Sequence, residues 1–337
     1  SPQVKAAING PMPTTRAMSY LAVRCAIGAE IPNCEGYMRA ISVKAPRGSI
    51  VNPNDDAACG ARGIICFRMF DTLMGAFAQV VPDRIPAANE GGSNNPHIAG
   101  RDRDGKPFMV SGGLMGCWGG SAWHDGQEGI SNPAANLGNT PIELLESRHP
   151  VEITCYAFVE NSGGPGRARG GAALQRGYRL LADEAVLVMR SDRRDNLPYG
   201  LSGGSPGTPS WNVLNPGPSQ RLLPACPMAS VPMSGGDVFL HIQAGAGGFG
   251  DPLERDPERV RADVLDELIT AAYAADVYGV ALRDGAVDPA GTARLRDRLR
   301  AGGAGGPDHL DHFHRSVGIP RRAARAGVTP AKDPGNG

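Results

Sequence analysis

The sequence is short of aromatic residues, of net charge and of long apolar runs, and each shortage excludes a class of protein. Aromatic residues make up 5% of the 337 residues. No apolar run approaches the roughly 20 residues that a membrane-spanning helix needs. Lys and Arg together number 34, as do Asp and Glu, so the formal net charge is zero. A chain without net charge sets up no bulk field for nucleic acid or for an anionic membrane, and we expect neither as a partner.

The seven cysteines do not suit a disulfide framework. Their number is odd and no Cys-x-x-Cys occurs, which argues against a disulfide scaffold and against a zinc ribbon. Cys66 and Cys155 lie among apolar neighbours, as reduced core thiols do. The start of the chain shows no charged segment followed by an apolar core. We therefore expect no signal peptide and a cytoplasmic location.

Glycine and proline are abundant instead. The 47 glycines and 29 prolines exceed a fifth of the chain, while 41% hydrophobic and 20% charged residues suit a globular interior. Such a composition predicts many turns and few long helices. We predict an α+β fold in which Gly-rich mixed sheets combine with a few helices and long ordered loops.

Apolar periodicity predicts where the helices lie. A first helix follows a threonine cap at Thr14 and Thr15. The strongest helix covers 61–81 and ends before Pro82. Its predicted apolar face consists of Ile65, Met69, Leu73, Ala76 and Phe77. Further helices are predicted over 256–268, 271–276 and 292–300.

Alternating and β-branched runs predict the strands, which cover 38–44, 107–114, 151–158, 173–181, 184–190, 237–243 and 278–282. We expect 173–181 and 184–190 to form a hairpin about Ala182 and Asp183. Most of 88–140 is irregular, and loops of that length tend to be functional or to contact a partner. Residues 1–300 form one region, and 301–337 are predicted to be a flexible tail.

Two glycine-rich segments carry candidate binding motifs. Gly245 to Gly250 formally matches G-x-G-x-x-G, but Asp251 and Pro252 follow at once, so no helix opens at the last glycine. A tight structural turn is favoured there over a dinucleotide site. Gly163 to Gly171 carries Arg167 and Arg169 but lacks the Gly-Lys-Ser/Thr of a P-loop. Its arginines either bind carboxylates or a phosphate, or make internal or interface salt bridges.

Three further groups of titratable residues stand out. His124 and Asp125 are adjacent, and Glu143 and Glu146 share one face of a helical turn. These residues predict an acid–base or metal site, although Glu143 also fits a capping box with Thr140. A His-x-x-His-x-His cluster with two aspartates has a spacing that suits a transition metal: His309, His312, His314, Asp308 and Asp311. Because its surroundings look unstructured, we expect no metal there.

Several motifs, taken in order, resemble one known family. They are the segment 39–53, Pro141-Ile-Glu-Leu-Leu-Glu146, the 162–171 glycine loop, Gly245–Glu258 and Tyr278-Gly-Val-Ala-Leu282. Together they resemble the C-terminal half of the hydantoinase B / 5-oxoprolinase family. The resemblance implies a subunit or half-subunit of an ATP-dependent cyclic-amide hydrolase that opens hydantoin or 5-oxoproline. An ATP-dependent ketone carboxylase subunit, or a non-catalytic scaffold or degenerate paralogue, is the alternative.

The resemblance also implies partners and site residues. ATP and Mg would be bound by a hydantoinase A-type subunit. A divalent metal would be held by a histidine- and aspartate-containing N-terminal half, which this sequence does not match and which a second, B-type chain would supply. No metal is expected on this chain. The candidate catalytic residues are Asp125, Glu143 and Glu146, and the candidate substrate-binding residues are Arg167, Arg169 and His124.

Overall fold

Short strands and glycine-rich connections dominate the structure, which is a computed structural model. It describes residues 1–28, 30–91, 94–135, 138–226, 229–302 and 308–321. The helices in this part of the chain are α1 Met12–Ile27, α2 Glu35–Arg39, α3 Gly63–Phe77, α4 Ile142–Arg148, α5 Pro257–Leu265, α6 Ala271–Tyr278, α7 Pro289–Ala301 and α8 His309–Val317. Two short 3-10 turns cover Pro82–Arg84 and Pro252–Glu254.

The strands form two main sheets and one small hairpin. They are β1 Asn95–Arg101, β2 Pro107–Ser111, β3 Val151–Phe158, β4 Leu174–Leu180, β5 Glu184–Arg190, β6 Trp211–Leu214, β7 Arg221–Leu223, β8 Val231–Ser234, β9 Val238–Ile242, β10 Leu282–Arg283 and β11 Ala286–Val287. The four-stranded sheet has the order β2-β1-β5-β8, and the five-stranded sheet has the order β3-β4-β9-β6-β7. All pairings between these strands are antiparallel. The predicted α+β class is confirmed.

The two sheets share one apolar core. Leu187 on β5 and Ile98 on β1 pack with Tyr178 on β4 and Phe239 on β9, and none of the four side chains is more than 1% exposed. Alternate residues of β5 are buried, which is the pattern of a strand with one face on a core. Burying each such side chain contributes roughly 1.5–3 kcal/mol, so this core is a main source of stability.

Smaller apolar clusters join several helices to a sheet or to one another. Phe313 of α8 packs on Trp211 and Ile242 of the five-stranded sheet. Val260, Ile269, Tyr273 and Tyr278 join α5 to α6, and Ala22, Phe70 and Met74 join α1 to α3. The helix α8 is thus attached to the five-stranded sheet, whereas α5 packs with α6 and α1 packs with α3.

Five segments without strand assignment form what we call the glycine bundle: 87–90, 117–120, 163–171, 198–207 and 244–250. Successive amides of the last segment donate to four different carbonyls at 2.9 to 3.0 Å: Ala246 to Gly171, Gly247 to Ala88, Gly248 to Ser205 and Phe249 to Ala168. The amides of a β-strand donate alternately to its two neighbouring strands. Here each successive amide donates to a different segment, and the segment 163–171 accepts again three residues later, from Phe249 after Ala246. Three residues per turn is the period of a polyproline II helix. The bundle thus packs extended segments against one another in several directions.

Close backbone approach explains why this bundle needs glycine. A Cβ on Gly207 would lie 1.8 Å from the carbonyl oxygen of Gly245. A Cβ on Gly247 would lie 2.0 Å from the carbonyl oxygen of Tyr199. No side chain fits at such distances, and backbone cannot yield as a side chain can. The structural interpretation of Gly245–Gly250 is therefore the one that the geometry supports.

Several local predictions were wrong at the N-terminal side. The first helix begins at Met12 after Pro11, and the Thr15 hydroxyl donates to the carbonyl of Val51 instead of capping the helix. Residues 38–44 form no strand, because α2 ends at Arg39 and the following residues have no strand partner. The buried face of α3 is Cys66, Phe67, Phe70, Asp71 and Met74, and Ala76 is exposed.

Other predictions were wrong because pairing is not local. The strands β4 and β5 follow one another but belong to different sheets, so Ala182 and Asp183 turn a corner between sheets and do not close a hairpin. The strand predicted over 278–282 is also wrong. Tyr278 ends α6, Gly279 caps this helix in the left-handed conformation with φ 63°, and a strand begins only at Leu282. Residues 308–321 are no flexible tail, since Phe313 of α8 is fully buried. The rest of the predicted tail, 303–307 and 322–337, lies outside the described residues.

Candidate functional site

Three arginines and three carboxylates meet beside the glycine bundle, and we call this group the Arg255 cluster. Its members come from a loop, from the 163–171 segment, from the turn before α5 and from α5 itself: Asp125, Glu128, Arg169, Arg255, Arg259 and Asp263. Two of these, Asp125 and Arg169, were predicted as site residues from sequence. The structure brings them together with partners far along the chain.

Arg255 lies at the centre, with only 1% of its side chain exposed. It donates to both oxygens of Asp125 at 2.6 and 2.8 Å and to Asp263 Oδ2 at 2.7 Å. Asp125 also accepts from the backbone amide of Arg169 at 2.8 Å and from Arg259 at 2.6 Å. Bidentate pairs of this kind are among the strongest hydrogen bonds in proteins, so the carboxylate is firmly held.

The electrostatics of Asp125 follow from these contacts. Burial alone would raise its pKa, but the hydrogen bonds and charge of Arg255, with Arg169 and Arg259, lower the pKa below the ordinary value. A carboxylate that is ionised and occupied on both oxygens positions its neighbours better than it accepts a proton. The internal salt-bridge interpretation therefore describes Arg169, whose Nη1 lies 2.7 Å from Glu128.

The other residues predicted from sequence have exposed side chains. Arg167 contributes backbone only, its amide donating to Gly250 and its carbonyl accepting from Arg255. His124 Nδ1 lies 2.7 Å from the carbonyl oxygen of Asp125. The Glu143 side chain makes no hydrogen bond or ion pair with another described residue. Glu146 accepts from the amide of Ile153 at 2.7 Å.

The helix α4 keeps Glu143 and Glu146 away from the Arg255 cluster. It packs on β3 and buries Leu145 in the core between the two sheets. Within the described part of the chain, no hydrogen bond or ion pair joins either glutamate to Asp125. The capping box with Thr140 is not formed, because the helix cap is Pro141 without a side-chain hydrogen bond. These two carboxylates thus lie on a separate, exposed surface.

A second charged group, which was not predicted from the sequence, lies where the buried face of α3 meets the segments packed against it. We call it the Asp71 cluster: Arg68, Asp71, Glu90, Asp192 and Arg193. Arg68 lies 3.1 Å from Asp71 and 2.9 Å from Asp192, and Arg193 also pairs with Asp71. The one hint in the sequence was Asp71 itself, because an aspartate on an apolar helix face needs a buried partner.

The Asp71 cluster has more acids than bases. Its three carboxylates face two guanidinium groups, and Asp71 is 4% exposed. Burial raises the pKa of Asp71 to about 7, with Arg68 opposing the shift and the charges of Glu90 and Asp192 adding to it. The Asp71 carboxyl therefore gains or loses its proton near neutral pH. Buried acids tuned in this way are concentrated at functional sites.

Next to this cluster lies a cleft, which we call the α3 cleft. A water-sized cavity of about 10 Å³ is lined by Arg68, Glu90, Asn94 and Asp192. A larger cavity of about 330 Å³ shares Ile64 and Phe67 with it. The α3 cleft therefore places titratable groups beside a space large enough for a small molecule. A groove of about 660 Å³ along α1 is larger, but no carboxylate of the described residues lines it.

The three histidines of the predicted metal motif are buried on α8 and have separate partners. His314 Nδ1 lies 2.9 Å from the carbonyl oxygen of Ile319, and His312 Nε2 lies 3.3 Å from Asp276. Burial lowers the pKa of each, His309 included. No group of three His, Cys, Asp or Glu side chains in the described ranges is arranged to hold a metal ion.

Comparison with known proteins assigns the family. The profile of the Hydantoinase B/oxoprolinase family matches residues 1–252. A candidate D-/L-hydantoinase component of the B type from Pseudomonas sp. (strain NS671) is 33% identical over 294 residues, which are 84% of this chain and 49% of that protein. The chain belongs to the hydantoinase B/oxoprolinase family, and it spans about half of the length of this relative.

Two solved structures share the fold. An ATP-dependent caprolactamase from Pseudomonas jessenii superposes with a TM-score of 0.76 and 23% identity, covering 88% of this chain and 53% of that one. A nucleotide-free acetone carboxylase superposes with a TM-score of 0.74 and 20% identity, covering 88% of this chain and 45% of that one.

Among the helices that the structure describes, none is long and apolar enough to cross a membrane.

Proposed function

We propose that this chain is part of an ATP-dependent enzyme that opens a cyclic amide of the hydantoin or 5-oxoproline type. The observation that carries the proposal is the family match over residues 1–252. The fold shared with an ATP-dependent caprolactamase over 88% of the chain supports it. The ATP and Mg would be bound by an A-type partner subunit, and the other half of the B-type subunit, with its metal, would be a second chain.

The chemistry explains why such a reaction uses ATP. The carbonyl carbon of an unstrained lactam is a poor electrophile. Transfer of the γ-phosphoryl group to the amide oxygen turns that oxygen into part of a leaving group. Water then forms a bond to the carbon, and the bond from carbon to the ring nitrogen breaks, so that the ring opens to an amine and an acyl phosphate. A second water attacks the acyl carbon, and the bond from carbon to the phosphorylated oxygen breaks to release phosphate and a carboxylate. Groups that hold these waters and neutralise the phosphate lower the barrier.

The residues predicted from sequence take different parts in this proposal. Asp125 and Arg169 are paired within the Arg255 cluster, so we assign them the positioning of the 163–171 segment. Glu143, Glu146, His124 and Arg167 have exposed side chains, and we propose that they face a substrate or a partner chain. The carboxylates would hold a nucleophilic water or the substrate N–H, and Arg167 would meet a phosphate or a carboxylate.

The test is ADP release with hydantoin or 5-oxoproline after reconstitution with the partner chains. We expect turnover to need this chain and to fall by about tenfold or more in Glu143→Ala and Arg167→Ala. Glu152→Ala, which changes a half-exposed carboxylate of β3 that pairs with Arg179, serves as the control. Full turnover in the Glu143 and Arg167 variants would remove those two assignments while leaving the reaction class in place.

A ketone carboxylase subunit is the second candidate, because the fold is equally shared with an acetone carboxylase at a TM-score of 0.74. The two reactions differ in their second substrate. Dependence of ADP release on bicarbonate would indicate the carboxylase, and independence the hydrolase. A non-catalytic scaffold predicts that ADP release is unchanged when this chain is omitted.

A further inference from the structure

The larger cavity of the α3 cleft has an unusual set of charged residues. It is lined by Met18, Gly60, Ala61, Arg62, Gly63, Ile64, Cys66, Phe67, Asn95, Ala134 and Arg190. Two of these are arginines and none is acidic. The charged side chains that line this cavity of about 330 Å³ are therefore all positive. That volume lies at the lower end of small-ligand sites, which run from roughly 300 to 1,000 Å³.

Arg62 and Arg190 differ from the arginines deeper in the cleft. Arg68 and Arg193 are neutralised by the carboxylates of the Asp71 cluster. By contrast, no side-chain hydrogen bond or ion pair ties Arg62 or Arg190 to another residue in the described ranges. Their charge acts on nearby groups, since Arg190 adds to the burial that lowers the pKa of His97. Arg62 opposes the burial that raises the pKa of Cys66.

The start of α3 adds to this positive field. Arg62 is the cap residue of a 15-residue helix, and no side chain caps the first turn. The amide groups at a helix start carry a partial positive charge and point away from the helix. Gly63 and Ile64 of that first turn line the same cavity as the two guanidinium groups.

We propose that this cavity binds the oxyanion group of a small molecule, a carboxylate or a phosphate, between Arg62 and Arg190. Guanidinium groups bind both anions through paired hydrogen bonds. The proposal concerns binding by this chain alone, so it stands or falls independently of the ring-opening reaction. If both hold, the cavity selects cyclic amides that carry a carboxylate, or holds the phosphate that is released.

Calorimetric titration of the full 337-residue chain at low salt tests the proposal. The probes are inorganic phosphate, 5-oxoproline and 2-pyrrolidinone, the last of which lacks only the carboxylate of 5-oxoproline. We expect saturable one-to-one binding of phosphate, of 5-oxoproline or of both, and none of 2-pyrrolidinone. Binding of phosphate alone would identify a phosphate site, and binding of 5-oxoproline alone a carboxylate site.

Variants show whether the two arginines are responsible. Arg62→Gln and Arg190→Gln should each weaken binding by about tenfold or more, since each removes a charge-assisted hydrogen bond. Arg16→Gln, which changes an arginine of the separate groove along α1, should leave binding unchanged. Absence of saturable binding at millimolar anion, or equal affinity in the Arg62 and Arg190 variants and the wild type, overturns the proposal. Arg62 is exposed, so its variant decides the matter even if Arg190→Gln fails to fold.

Discussion

At the scale of single residues, arginines in this protein serve two purposes. Arg255 is buried and satisfied by Asp125, Asp263 and the carbonyl of Arg167. Arg190 lines a cavity without an acidic partner in the described part of the chain. A fully buried charge such as that of Arg255 needs partners, whereas Arg190 is only half-buried. The first kind of arginine therefore supports the fold, and the second is available for a ligand.

Replacing Arg255 should destabilise the folded protein strongly. In Arg255→Met, the carboxylates of Asp125 and Asp263 lose their shared partner inside the protein. We expect a loss of about 3–5 kcal/mol in the free energy of unfolding, measured by denaturant titration. Arg259→Met removes a 47% exposed side chain from the same carboxylate and should cost less than about 1 kcal/mol. Equal effects of the two substitutions would contradict the structural role of the Arg255 cluster.

The raised pKa of Asp71 leads to a prediction about how stability depends on pH. Its pKa is raised to about 7 in the folded protein, whereas in the unfolded chain it loses its proton near pH 4. Between these values the folded state binds more protons, so this group's contribution to stability falls as pH rises, by up to about 1.4 kcal/mol per unit. Asp71→Asn should flatten the fall between about pH 4 and 7, as measured by denaturant titration at several pH values.

The control for this prediction is Asp55→Asn. Asp55 is a 97% exposed carboxylate paired with Arg47, so the variant should keep the wild-type pH profile. A profile in Asp71→Asn that parallels the wild type would show that Asp71 is ionised throughout.

The sequence allowed part of these sites to be predicted. Asp125 was identified because titratable residues are concentrated near it, and Arg169 because it lies in the glycine-rich segment 163–171; the two do lie together. Their partners Arg255 and Asp263 are distant along the chain, and no local pattern links them. Asp71 was missed because helical periodicity counted only apolar residues on α3, although a buried aspartate occupies that face. Ion pairs between residues far apart along the chain produce no periodic pattern in the sequence, so they could not be predicted from it.

At the scale of elements, the glycine bundle depends on positions where no side chain fits. In Gly207→Ala, the added Cβ would meet a backbone oxygen at 1.8 Å. We expect a loss of more than about 3 kcal/mol in the free energy of unfolding, or failure to fold. In Gly112→Ala, the added Cβ would meet no atom within 4 Å, and stability should stay within about 1 kcal/mol of the wild type. Melting temperatures of the two variants would check this contrast, and similar values would contradict it.

The helix α8 provides a test at the other end of the chain. Phe313 is fully buried against the five-stranded sheet. Phe313→Ala should therefore cost about 3–5 kcal/mol, whereas Arg315→Ala on the exposed side should be nearly neutral. A flexible segment would show no difference in melting temperature between these two variants.

Strand existence was easier to predict than strand pairing. The segments 151–158 and 184–190 were predicted with the bounds that the structure shows for β3 and β5. The hairpin between β4 and β5 was wrong because their connection turns from one sheet to the other. The glycine bundle was not predicted, since its segments have neither helical nor strand periodicity. Pairing depends on contacts between distant segments, which local propensity does not encode.

At the scale of the whole molecule, the chain shares its fold with about half of each of two solved structures. It covers 53% of the caprolactamase chain and 45% of the acetone carboxylase chain. We propose that this half supplies a scaffold, formed by the sheets and the glycine bundle, and an anion-binding cavity in the α3 cleft. ATP binding and metal binding would then belong to partner chains.

The most direct test of this account is to follow the amide oxygen through the reaction. The lactam is labelled with ¹⁸O at its carbonyl, and inorganic phosphate is analysed by mass spectrometry after turnover in the reconstituted assembly. Activation by phosphorylation of the amide oxygen predicts one ¹⁸O in each phosphate released, and only when this chain is present. Unlabelled phosphate, or the same labelling when this chain is omitted, would contradict the account.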